Sequence, residues 1–477
     1  MSDTRVDPMI ATLAEIVGER GVISRPHELL VYQADALPTH KSEPKLAVFP
    51  RTKDELIAVV RALAAAGRPF VPWGAGTGLS SGALASGDAV IIGLNKLNRI
   101  IAIDADDRLA VVEPGVVNAA LTRAAAPHKL HYAPDPSSQS ACTIGGNVAE
   151  NAGGPHCLKY GVTLNHVLQL RVVLPDGSLA TLGNADGEDG GYDLLGAFVG
   201  SEGCFGIAYE ITVKLTPDPQ ACRTMLADFS SIDDGARAVS AIIASGILPA
   251  ALEMMDAPTI RAVEDSIYAA GYPRDAAAVL LIEVDGLEAG LDLDVAQVER
   301  ICRECSARGV RTARDAAERA KLWQGRKKAF GAMGRIASAL MVQDAVIPRT
   351  KLPDIMRQVQ EIGARYRITV CNVFHAGDGN LHPNVPYDGD DPDEVARVDA
   401  AMREIMRACV DAGGTITGEH GVGLDKVGYM EMIFSPESLE AQCRLRDVFD
   451  PSRRANPAKV VPVRSCREWT MAPAARA

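Results

Sequence analysis

Short apolar runs alternate with turn residues along the first half of the chain, a pattern typical of strands joined by tight loops and helices. Met9 to Glu19 follows the helical period and predicts one amphipathic helix. Thr52-x-x-Glu55 is a capping box and predicts a helix that runs to Ala66 and stops at Gly67. Strands are predicted in the runs LAVFP, 69–72, AVIIGL, IIAIDA, LAVVEPG, HVLQLRVVLPDG and GIAYEITVKLTP.

The pattern changes after Pro217 and Pro219, which mark a predicted domain boundary. Residues 221–410 combine strands, such as AVLLIEVDG and ITVCNVFHA, with long polar helices. The segment from Pro436 to Phe449 predicts one more helix. A chain of 477 residues with 47% apolar residues is long enough for two or three domains of mixed helix and sheet.

Composition narrows the class of protein. A net charge of −12 argues against general affinity for nucleic acid or for anionic lipid. The sequence contains no run of 18 apolar residues and does not begin with a secretory signal pattern. Its ten cysteines follow no disulfide-framework spacing. We therefore expect a reduced cytoplasmic protein without a membrane span, with any peripheral membrane association arising through a partner.

Three clusters of small residues between predicted strands indicate a bound ligand. The first, WGAGTGLSSG at 73–82, follows a strand but lacks both the Rossmann and the Walker spacing. The second comprises PDPSS at 134–138, TIGGN at 143–147 and NAGG at 151–154, and the third is GSEG at 200–203 followed by Gly206. Turn chemistry explains any one cluster. The three together indicate backbone wrapped closely around one long ligand that carries phosphate.

The motif NVFHAGDGNLHPN at 372–384 contains two histidines on either side of a predicted chain reversal. The apolar residues at its start are strand-like and GDGN has turn composition, so the reversal would bring His375 and His382 together. GEHG at 418–421 adds Glu419 and His420. Two histidines and one carboxylate can hold a metal and leave coordination sites open. Polar core histidines without a metal explain the same residues equally well.

The order of the glycine clusters resembles the FAD-binding domain of the vanillyl-alcohol oxidase and p-cresol methylhydroxylase superfamily. The resemblance implies that the first loop cradles the pyrophosphate and that the later loops line the rest of FAD. The flavin-binding residues that it implies are Pro72, Trp73, Gly74, Ala75, Gly76, Thr77, Gly78, Leu79, Ser80, Gly82, Pro134, Asp135, Ser137, Ser138, Thr143, Gly145, Gly146, Asn147, Asn151, Gly153, Gly154, Tyr160, Gly161, Glu202, Gly203, Gly206, Ile207 and Asn456. Some relatives attach the flavin covalently to a histidine of the first loop. That loop contains no histidine here, so we expect non-covalent FAD.

FHAGDGNLH followed by GEHG resembles the C-terminal half of the FAD-linked D-2-hydroxy acid dehydrogenases. This family includes D-lactate dehydrogenase, D-2-hydroxyglutarate dehydrogenase and the glycolate oxidase FAD-linked subunit. The resemblance implies a divalent metal held by His375, His382 and Glu419, with zinc favoured and manganese or iron as alternatives. It makes His420 the general base, and it makes Arg326 and Asn384 the substrate contacts.

The implied reaction oxidises a small D-2-hydroxy acid, glycolate or D-lactate, to its 2-keto acid. Arg326 offers a planar fork that matches a substrate carboxylate. The metal would acidify the substrate hydroxyl, His420 would accept its proton, and the hydride would pass to flavin N5. The implied electron acceptor is a quinone, an electron-transfer flavoprotein or an iron–sulfur subunit, and the chain would work as a homodimer or in a heteromeric complex.

The resemblance covers about Lys45 to Pro462 and implies an α+β fold. It predicts a two-subdomain FAD-binding domain of the p-cresol methylhydroxylase type, an α+β substrate or cap domain and a C-terminal helical segment. The expected organisation is a helical lead-in at 1–40, the FAD-binding domain at 41–219 and the substrate domain with the metal site at 220–418. A segment at 419–463 would pack back on the flavin domain, and a tail would follow at 464–477.

Other functions fit parts of the pattern. A ferrous oxygenase would use two histidines and one carboxylate but leaves the glycine clusters unexplained. A non-catalytic flavin subunit of a glycolate oxidase complex, a flavin oxidase that reduces oxygen directly and a D-2-hydroxyglutarate dehydrogenase also remain open. Against the last, position 330 is Phe and residues 341–344 contain no cation. The glutarate-specific relatives have a small polar residue and a lysine at the similar places.

Overall fold

The structure, a computed structural model, describes residues 7–185 and 191–461. It is 39% helical and 22% strand, in agreement with the predicted α+β class. Contacts divide the chain into two units. The first comprises the residues up to Ala152, Val162–Pro217 and the residues from Glu419 onward, and the second comprises Gly153–Gly161 and Asp218–Gly418. The predicted tail at 464–477 lies outside the described residues.

The described α-helices are α1 Pro8–Val17, α2 Pro26–Leu29, α3 Lys53–Ala65, α4 Asn118–Ala125, α5 Ile144–Glu150, α6 Cys157–Tyr160, α7 Leu194–Phe198, α8 Ile232–Ala244, α9 Ala257–Glu264, α10 Glu288–Glu304, α11 Ala316–Lys327, α12 Ala329–Met333, α13 Leu352–Tyr366, α14 Pro392–Asp411 and α15 Pro436–Phe449. Short 3₁₀ turns occupy Glu19–Gly21, Leu30–Tyr32, Ala126–His128, Thr163–His166, Arg349–Lys351 and Val427–Met432.

The described strands are β1 Val22–Ile23, β2 Ala47–Val48, β3 Phe70–Trp73, β4 Val90–Gly93, β5 Ile100–Asp104, β6 Leu109–Val112, β7 Leu130–His131, β8 Val167–Val173, β9 Leu179–Gly183, β10 Ile207–Lys214, β11 Thr216–Pro217, β12 Ala221–Phe229, β13 Ala251–Asp256, β14 Ala278–Gly286, β15 Ala307–Thr312, β16 Ala339–Val342, β17 Ala345–Val346, β18 Cys371–His375, β19 Asn380–Leu381 and β20 Pro383–Tyr387. Each of the strands predicted from the apolar runs is present, in most cases a few residues shorter than its run.

Helix ends follow the capping residues. The hydroxyl of Thr52 accepts a 3.1 Å hydrogen bond from the backbone amide of Glu55, and α3 ends before Gly67 as predicted. The first helix was predicted to reach Glu19, and this was wrong by two residues. It ends at Val17 because Gly18 adopts φ +78°, a left-handed conformation that stops the helix.

Parallel strands form the first sheet of the first unit. The order is β1-β2-β4-β3, with β2, β4 and β3 parallel and β1 antiparallel at the edge. Leu13 of α1 and Leu56 of α3 pack with Phe70 and Ile92 in the core beside this sheet. Each fully buried side chain of this size contributes about 1.5–3 kcal/mol. The first glycine loop therefore begins at the end of a well-packed strand, since its first residue, Trp73, is the last residue of β3.

An antiparallel sheet in the order β5-β6-β10-β8-β9 completes the first unit. Leu170 and Ile211 from its strands lie in one core with Ile144 and Val148 of α5. Because α5 starts within the second glycine cluster, this core fixes that cluster. Phe449, the last residue of α15, lies in the same core.

The residues after α15 extend the first sheet. The backbone amide of Phe70 donates to the carbonyl of Arg454 at 2.9 Å, and the amide of Asn456 donates to the carbonyl of Phe70 at 2.8 Å. Ala455 therefore forms a parallel bridge with Phe70. The C-terminal segment thus belongs to the first unit by backbone hydrogen bonds as well as by its core contacts.

The second unit is built on a nine-stranded antiparallel sheet. Its order is β15-β12-β14-β13-β18-β19-β17, and β16 and β20 pair with each other beside β18. Its buried core includes Ile260 of α9 and Leu322 of α11. The segment Gly153–Gly161 is anchored here, because the Tyr160 hydroxyl donates to the Asp285 carboxylate at 2.6 Å. In the described part of the chain, no helix is both long and apolar enough to cross a bilayer.

Candidate functional site

Strand pairing in the second unit places Glu253 opposite His375. β13 and β18 are antiparallel neighbours, and these two residues are direct partners in the register. Directly opposed residues project from the same face of a sheet. His375 Nδ1 lies 2.8 Å from Glu253 Oε1, a hydrogen bond in which the ring nitrogen donates to the carboxylate. The strand register therefore fixes the hydrogen-bond partner of Nδ1, one of the two ring nitrogens of this predicted metal ligand.

Arg326 contacts the same carboxylate from α11. Its Nε donates to Glu253 Oε2 at 2.7 Å, and its Nη2 lies 2.5 Å from that oxygen. The side chains of Arg326 and Glu253 are 1% and 0% exposed. Burial by itself would raise the pKa of Glu253, but Arg326 and His375 hold that pKa below its ordinary value. Arg326, predicted as a substrate contact, is thus also the counter-ion of a buried glutamate.

The predicted chain reversal is confirmed. Residues 376–379 form a turn between β18 and β19, and His375 pairs with Asn380 across it. His382 follows β19, and its ring packs edge-on against the ring of His375 with 5.1 Å between centroids. Both histidines are buried. Two imidazoles at this distance can bind one metal ion.

Asp344 lies behind the second histidine. Its Oδ1 is 3.8 Å from His382 Nδ1. Its Oδ2 accepts hydrogen bonds from the Thr417 hydroxyl at 2.7 Å and from the Gly418 amide at 2.8 Å. Asp344 therefore anchors the end of the second unit at Gly418. Glu419 and His420 follow Gly418 directly in the chain, are half-buried and belong to the first unit.

Asn384 lies in β20 and makes polar contacts within the second unit. Its amide nitrogen donates to the carbonyls of His382 at 2.6 Å and Cys371 at 3.1 Å. Its Oδ1 is buried and accepts no hydrogen bond from the described residues. Buried acceptors are nearly always hydrogen-bonded in native proteins. A ligand hydroxyl would satisfy this oxygen, which fits the predicted role of Asn384.

The glycine clusters of the first unit also leave buried hydroxyls without protein partners. The hydroxyl oxygens of Ser80 and Ser81 in the first loop and of Ser201 in the third are buried and bond to no described residue. A polar ligand with several acceptors would satisfy them. The first loop follows β3, and the second cluster spans the loop after β7 and the start of α5, where Thr143 caps the helix. These loops fit the predicted flavin site.

Several predicted flavin contacts use their side chains within the protein. Glu202 accepts hydrogen bonds from the amides of Val422 at 2.6 Å and Gly423 at 2.7 Å. Asn456 donates to the carbonyls of Gly82 at 2.8 Å and Glu202 at 2.6 Å. These two residues therefore connect the first and third glycine clusters with the loop that follows His420.

The remaining predicted contacts are distributed over both units. Asn147 accepts from Asn118 at 3.0 Å, and Asn151 ends α5 in a left-handed conformation. Ile207 is the first residue of β10, and Gly206 precedes it. Gly153, Gly154, Tyr160 and Gly161 group with the second unit, unlike the other predicted flavin residues.

A glycine is required at two positions of the loop after His420. Gly421 has φ +82°, and a Cβ there would overlap the carboxylates of Glu150 and Glu202. Gly423 has φ +51°, and a Cβ there would overlap the carbonyl oxygen of Ser80. Gly421 is therefore required because the backbone passes directly over two carboxyl groups, and Gly423 because it passes over the carbonyl of Ser80.

The residues that sequence reasoning missed are buried carboxylates. Glu253 interrupts the apolar strand AALEMMD, and Asp344 follows the apolar strand ALMV. An acidic residue within a run predicted to be a buried strand is a usable signal, since an unpaired buried charge is costly. Glu150 gave a weaker signal because it lies among glycines that suggest exposed turns.

Comparison with known proteins places these features in a family. A family model described as "FAD linked oxidases, C-terminal domain" matches residues 218–460, and one described as "FAD binding domain" matches residues 44–183. The chain is 43% identical over 462 residues to the glycolate oxidase subunit GlcD of Escherichia coli strain K12, covering 97% of this chain and 92% of that protein. It is 31% identical over 431 residues to a D-lactate dehydrogenase of Anaerostipes hadrus, covering 88% and 90%.

A solved structure confirms the predicted fold. The crystal structure of p-cresol methylhydroxylase with substrate bound matches with a TM-score of 0.82 at 17% identity, over 94% of this chain and 95% of that one. The chain therefore has the p-cresol methylhydroxylase type of fold, and its first unit contains a FAD-binding domain.

Proposed function

Because this chain belongs to the family of FAD-linked oxidases, we propose that it is a dehydrogenase that oxidises glycolate or D-lactate to the 2-keto acid. The observation that carries the proposal is the pair of buried histidines, His375 and His382, in a chain that also contains a FAD-binding domain. Relatives named as a glycolate oxidase subunit and as a D-lactate dehydrogenase support the substrate class.

The flavin would lie against the glycine clusters of the first unit. The flavin would accept hydrogen bonds from the buried hydroxyls of Ser80, Ser81 and Ser201. The backbone amides of 74–82 would face its pyrophosphate. FAD, when bound, would accept a hydride, which carries both electrons of the oxidation. The protein would supply binding and orientation.

The substrate is a small anion, and the second unit provides donors for it. Glu253 occupies Nε and one terminal nitrogen of Arg326, and a guanidinium has five N–H donors. The remaining donors would bind the substrate carboxylate. Asn384 would accept a hydrogen bond from the substrate through its buried Oδ1.

We propose that His375 and His382 hold a divalent metal together with Glu419, the third ligand that the family resemblance assigns. The donor set fits zinc, manganese or iron, and zinc is our first choice. A metal ion there would supply the Lewis acidity that makes a substrate hydroxyl more acidic. His420 would accept the hydroxyl proton, because an imidazole near neutral pH is suited to that role.

Electrons must leave the reduced flavin, and we propose a protein or quinone acceptor rather than oxygen. The 43% identical relative is named as a subunit of glycolate oxidase, so we expect this chain to work within a heteromeric complex. The purified chain would then turn over with an artificial acceptor dye and show little oxygen consumption.

Anaerobic titration of the purified protein tests the proposed function. Glycolate or D-lactate should bleach the flavin absorbance at equimolar amounts, and L-lactate should not. A colourless protein would favour the ferrous oxygenase alternative. A yellow protein that no 2-hydroxy acid bleaches would refute the proposed reaction and favour a non-catalytic flavin subunit.

A further inference from the structure

We propose that Glu253 is a positioning residue that fixes the ring orientation and tautomer of His375 for metal binding. The inference rests on the metal site of the proposed function and assigns a role to a residue outside the ligand set. The carboxylate of Glu253 lies on β13, directly opposite His375 on β18, and meets His375 Nδ1 at 2.8 Å. A histidine that donates from Nδ1 presents the lone pair of Nε2 to a metal.

Burial makes this contact rigid. Glu253 is fully buried, and His375 is 5% exposed, so neither side chain has room to change rotamer. Both residues belong to paired strands in the middle of the nine-stranded sheet, which suits a site that must be held within about 0.5 Å. The hydrogen bond therefore acts on a ring that the surrounding core already confines.

The division of the carboxylate oxygens argues against a role for Glu253 as a counter-ion alone. Arg326 places both Nε and Nη2 on one oxygen, Oε2, at 2.7 and 2.5 Å. A carboxylate that serves only arginine usually offers both oxygens to the planar fork. Here Oε1 meets His375 Nδ1 at 2.8 Å, and the same nitrogen also lies 3.0 Å from Oε2. The charge of Glu253 is thus balanced by Arg326, while its second oxygen serves the histidine.

Glu283 provides a matched control for this inference. It lies on β14, the strand next to β13, and is also buried. Its carboxylate accepts from Arg319 at 2.7 Å and from the indole N–H of Trp323 at 2.7 Å. Glu283→Gln therefore removes the same charge from the same sheet and also breaks a pair with arginine, but its partners do not include His375.

The experiment compares divalent metal affinity in four holoproteins, the wild type, Glu253→Gln, Glu283→Gln and His375→Ala, by competition with a chelating dye for Zn²⁺ and Mn²⁺. We expect Glu253→Gln to weaken metal affinity by roughly 10- to 100-fold, the usual effect of losing the partner of a metal-binding histidine. Glu283→Gln should change it by less than about threefold. FAD content and thermal unfolding report whether each variant is folded.

A second readout separates positioning from general destabilisation. In metal-free protein with ¹⁵N-labelled histidine, the wild-type His375 should show the Nδ1–H tautomer, and Glu253→Gln should show a mixture. If Glu253→Gln does not fold, Glu253→Asp replaces it. Aspartate keeps the charge for Arg326 but withdraws the oxygen from His375 by about 1.5 Å, and it should still weaken metal affinity at least fivefold.

The outcomes distinguish failure of the positioning role from failure of the proposed metal site. Unchanged metal affinity in a folded Glu253 variant, together with loss in His375→Ala, overturns the positioning role and leaves the metal site intact. Unchanged affinity in His375→Ala overturns the metal site and the positioning role with it. Loss in both the Glu253 and the His375 variants, with Glu283→Gln near wild type, supports the proposal.

Discussion

The carboxylate of Glu202 accepts a hydrogen bond of 2.6 Å from the backbone amide of Val422. A second glutamate, Glu150, whose Oε2 is buried, adjoins it, since a side chain on Gly421 would meet both carboxyl groups. Burial raises the pKa of Glu202 to about 7, and burial together with the charge of Glu202 raises the pKa of Glu150 well above its ordinary value. The loop that follows His420 thus rests on two carboxyl groups that resist joint ionisation.

The first prediction concerns the pH dependence of stability. An unfolded glutamate has a pKa of about 4.3, so between about pH 4.3 and 7 the folded protein holds more protons than the unfolded chain. Stability should therefore fall as pH rises through this range. Glu150→Gln removes one of the two groups and should raise the melting temperature at pH 8 by on the order of a degree or two. Calorimetry of the holoprotein at pH 5 and 8 measures it.

Glu361→Gln, on the exposed face of α13, is the control for that experiment. It changes the net charge of the protein by the same amount but should leave the difference between pH 5 and pH 8 as in the wild type. A Glu150→Gln protein with the wild-type difference would show that the two carboxyl groups are not coupled to folding.

The second prediction is that FAD is held without a covalent bond. The first loop, Trp73–Gly82, contains no histidine, and its buried Ser80 and Ser81 hydroxyls offer hydrogen bonds only. Acid precipitation should release essentially all flavin into the supernatant, where its absorbance is measured. A yellow pellet after acid treatment would contradict this expectation.

The third prediction is that activity needs a divalent metal. Prolonged chelation should abolish turnover with a dye acceptor, while the flavin spectrum persists, because the proposed metal ligands His375 and His382 are not among the residues proposed to bind the flavin. Adding back Zn²⁺, Mn²⁺ or Fe²⁺ singly should identify the metal by recovery of the rate. Full activity in a sample shown by elemental analysis to be metal-free would refute the metal's role.

The fourth prediction assigns the base. His420→Ala should lower kcat by roughly 10²- to 10⁴-fold, the usual contribution of a positioned base, with a much smaller change in KM. The exposed His128→Ala is the control and should behave as wild type. Poor flavin retention in His420→Ala, with kcat preserved per bound flavin, would instead indicate a structural role.

Much of the fold was predictable because local patterns and tertiary contacts agree. The apolar run ending in Phe374, followed by GDGN, predicted a strand and a reversal, and the structure confirms both. The meeting of His375 and His382 follows from that local geometry. Glycine clusters predicted the flavin domain in the same way, because close backbone approach demands glycine wherever it occurs.

Long-range relationships were not predictable from local patterns. The pairing of Glu253 with His375 joins residues 122 positions apart through the order of strands in a sheet, and no spacing in the sequence encodes that order. The grouping of Tyr160 with the second unit has the same cause, since its partner Asp285 is 125 positions away. Arg326 appeared as a substrate contact alone, because its buried partner Glu253 is 73 positions away on a strand that packs against α11 only in the folded chain.

The last prediction is that the protein prefers a short monocarboxylate over D-2-hydroxyglutarate. In the second unit, Val342 lies directly opposite Asn384 in the pairing of β16 with β20, so the stretch 341–344 adjoins the proposed substrate contact. That stretch is buried and contains no cation. A second carboxylate entering there would cost several kcal/mol without a positive partner.

The lysines and the arginine near this stretch are not placed to pair with a second substrate carboxylate. Lys328 and Arg335 are exposed, and the ammonium of Lys327 lies 5.8 Å from the ring centre of Trp323. Phe330, half-buried in α12, adds apolar bulk.

We therefore expect kcat/KM for glycolate or D-lactate to exceed that for D-2-hydroxyglutarate by at least tenfold with one electron acceptor. Val342→Lys, on the same face of the strand pair as Asn384, combined with Phe330→Thr should narrow this ratio, because the double change adds a charge and removes bulk, whereas Lys328→Ala should not alter it. A tenfold preference of the wild type for the dicarboxylate would mean that a cation outside this stretch enters the pocket and that the assignment of residues 341–344 is wrong.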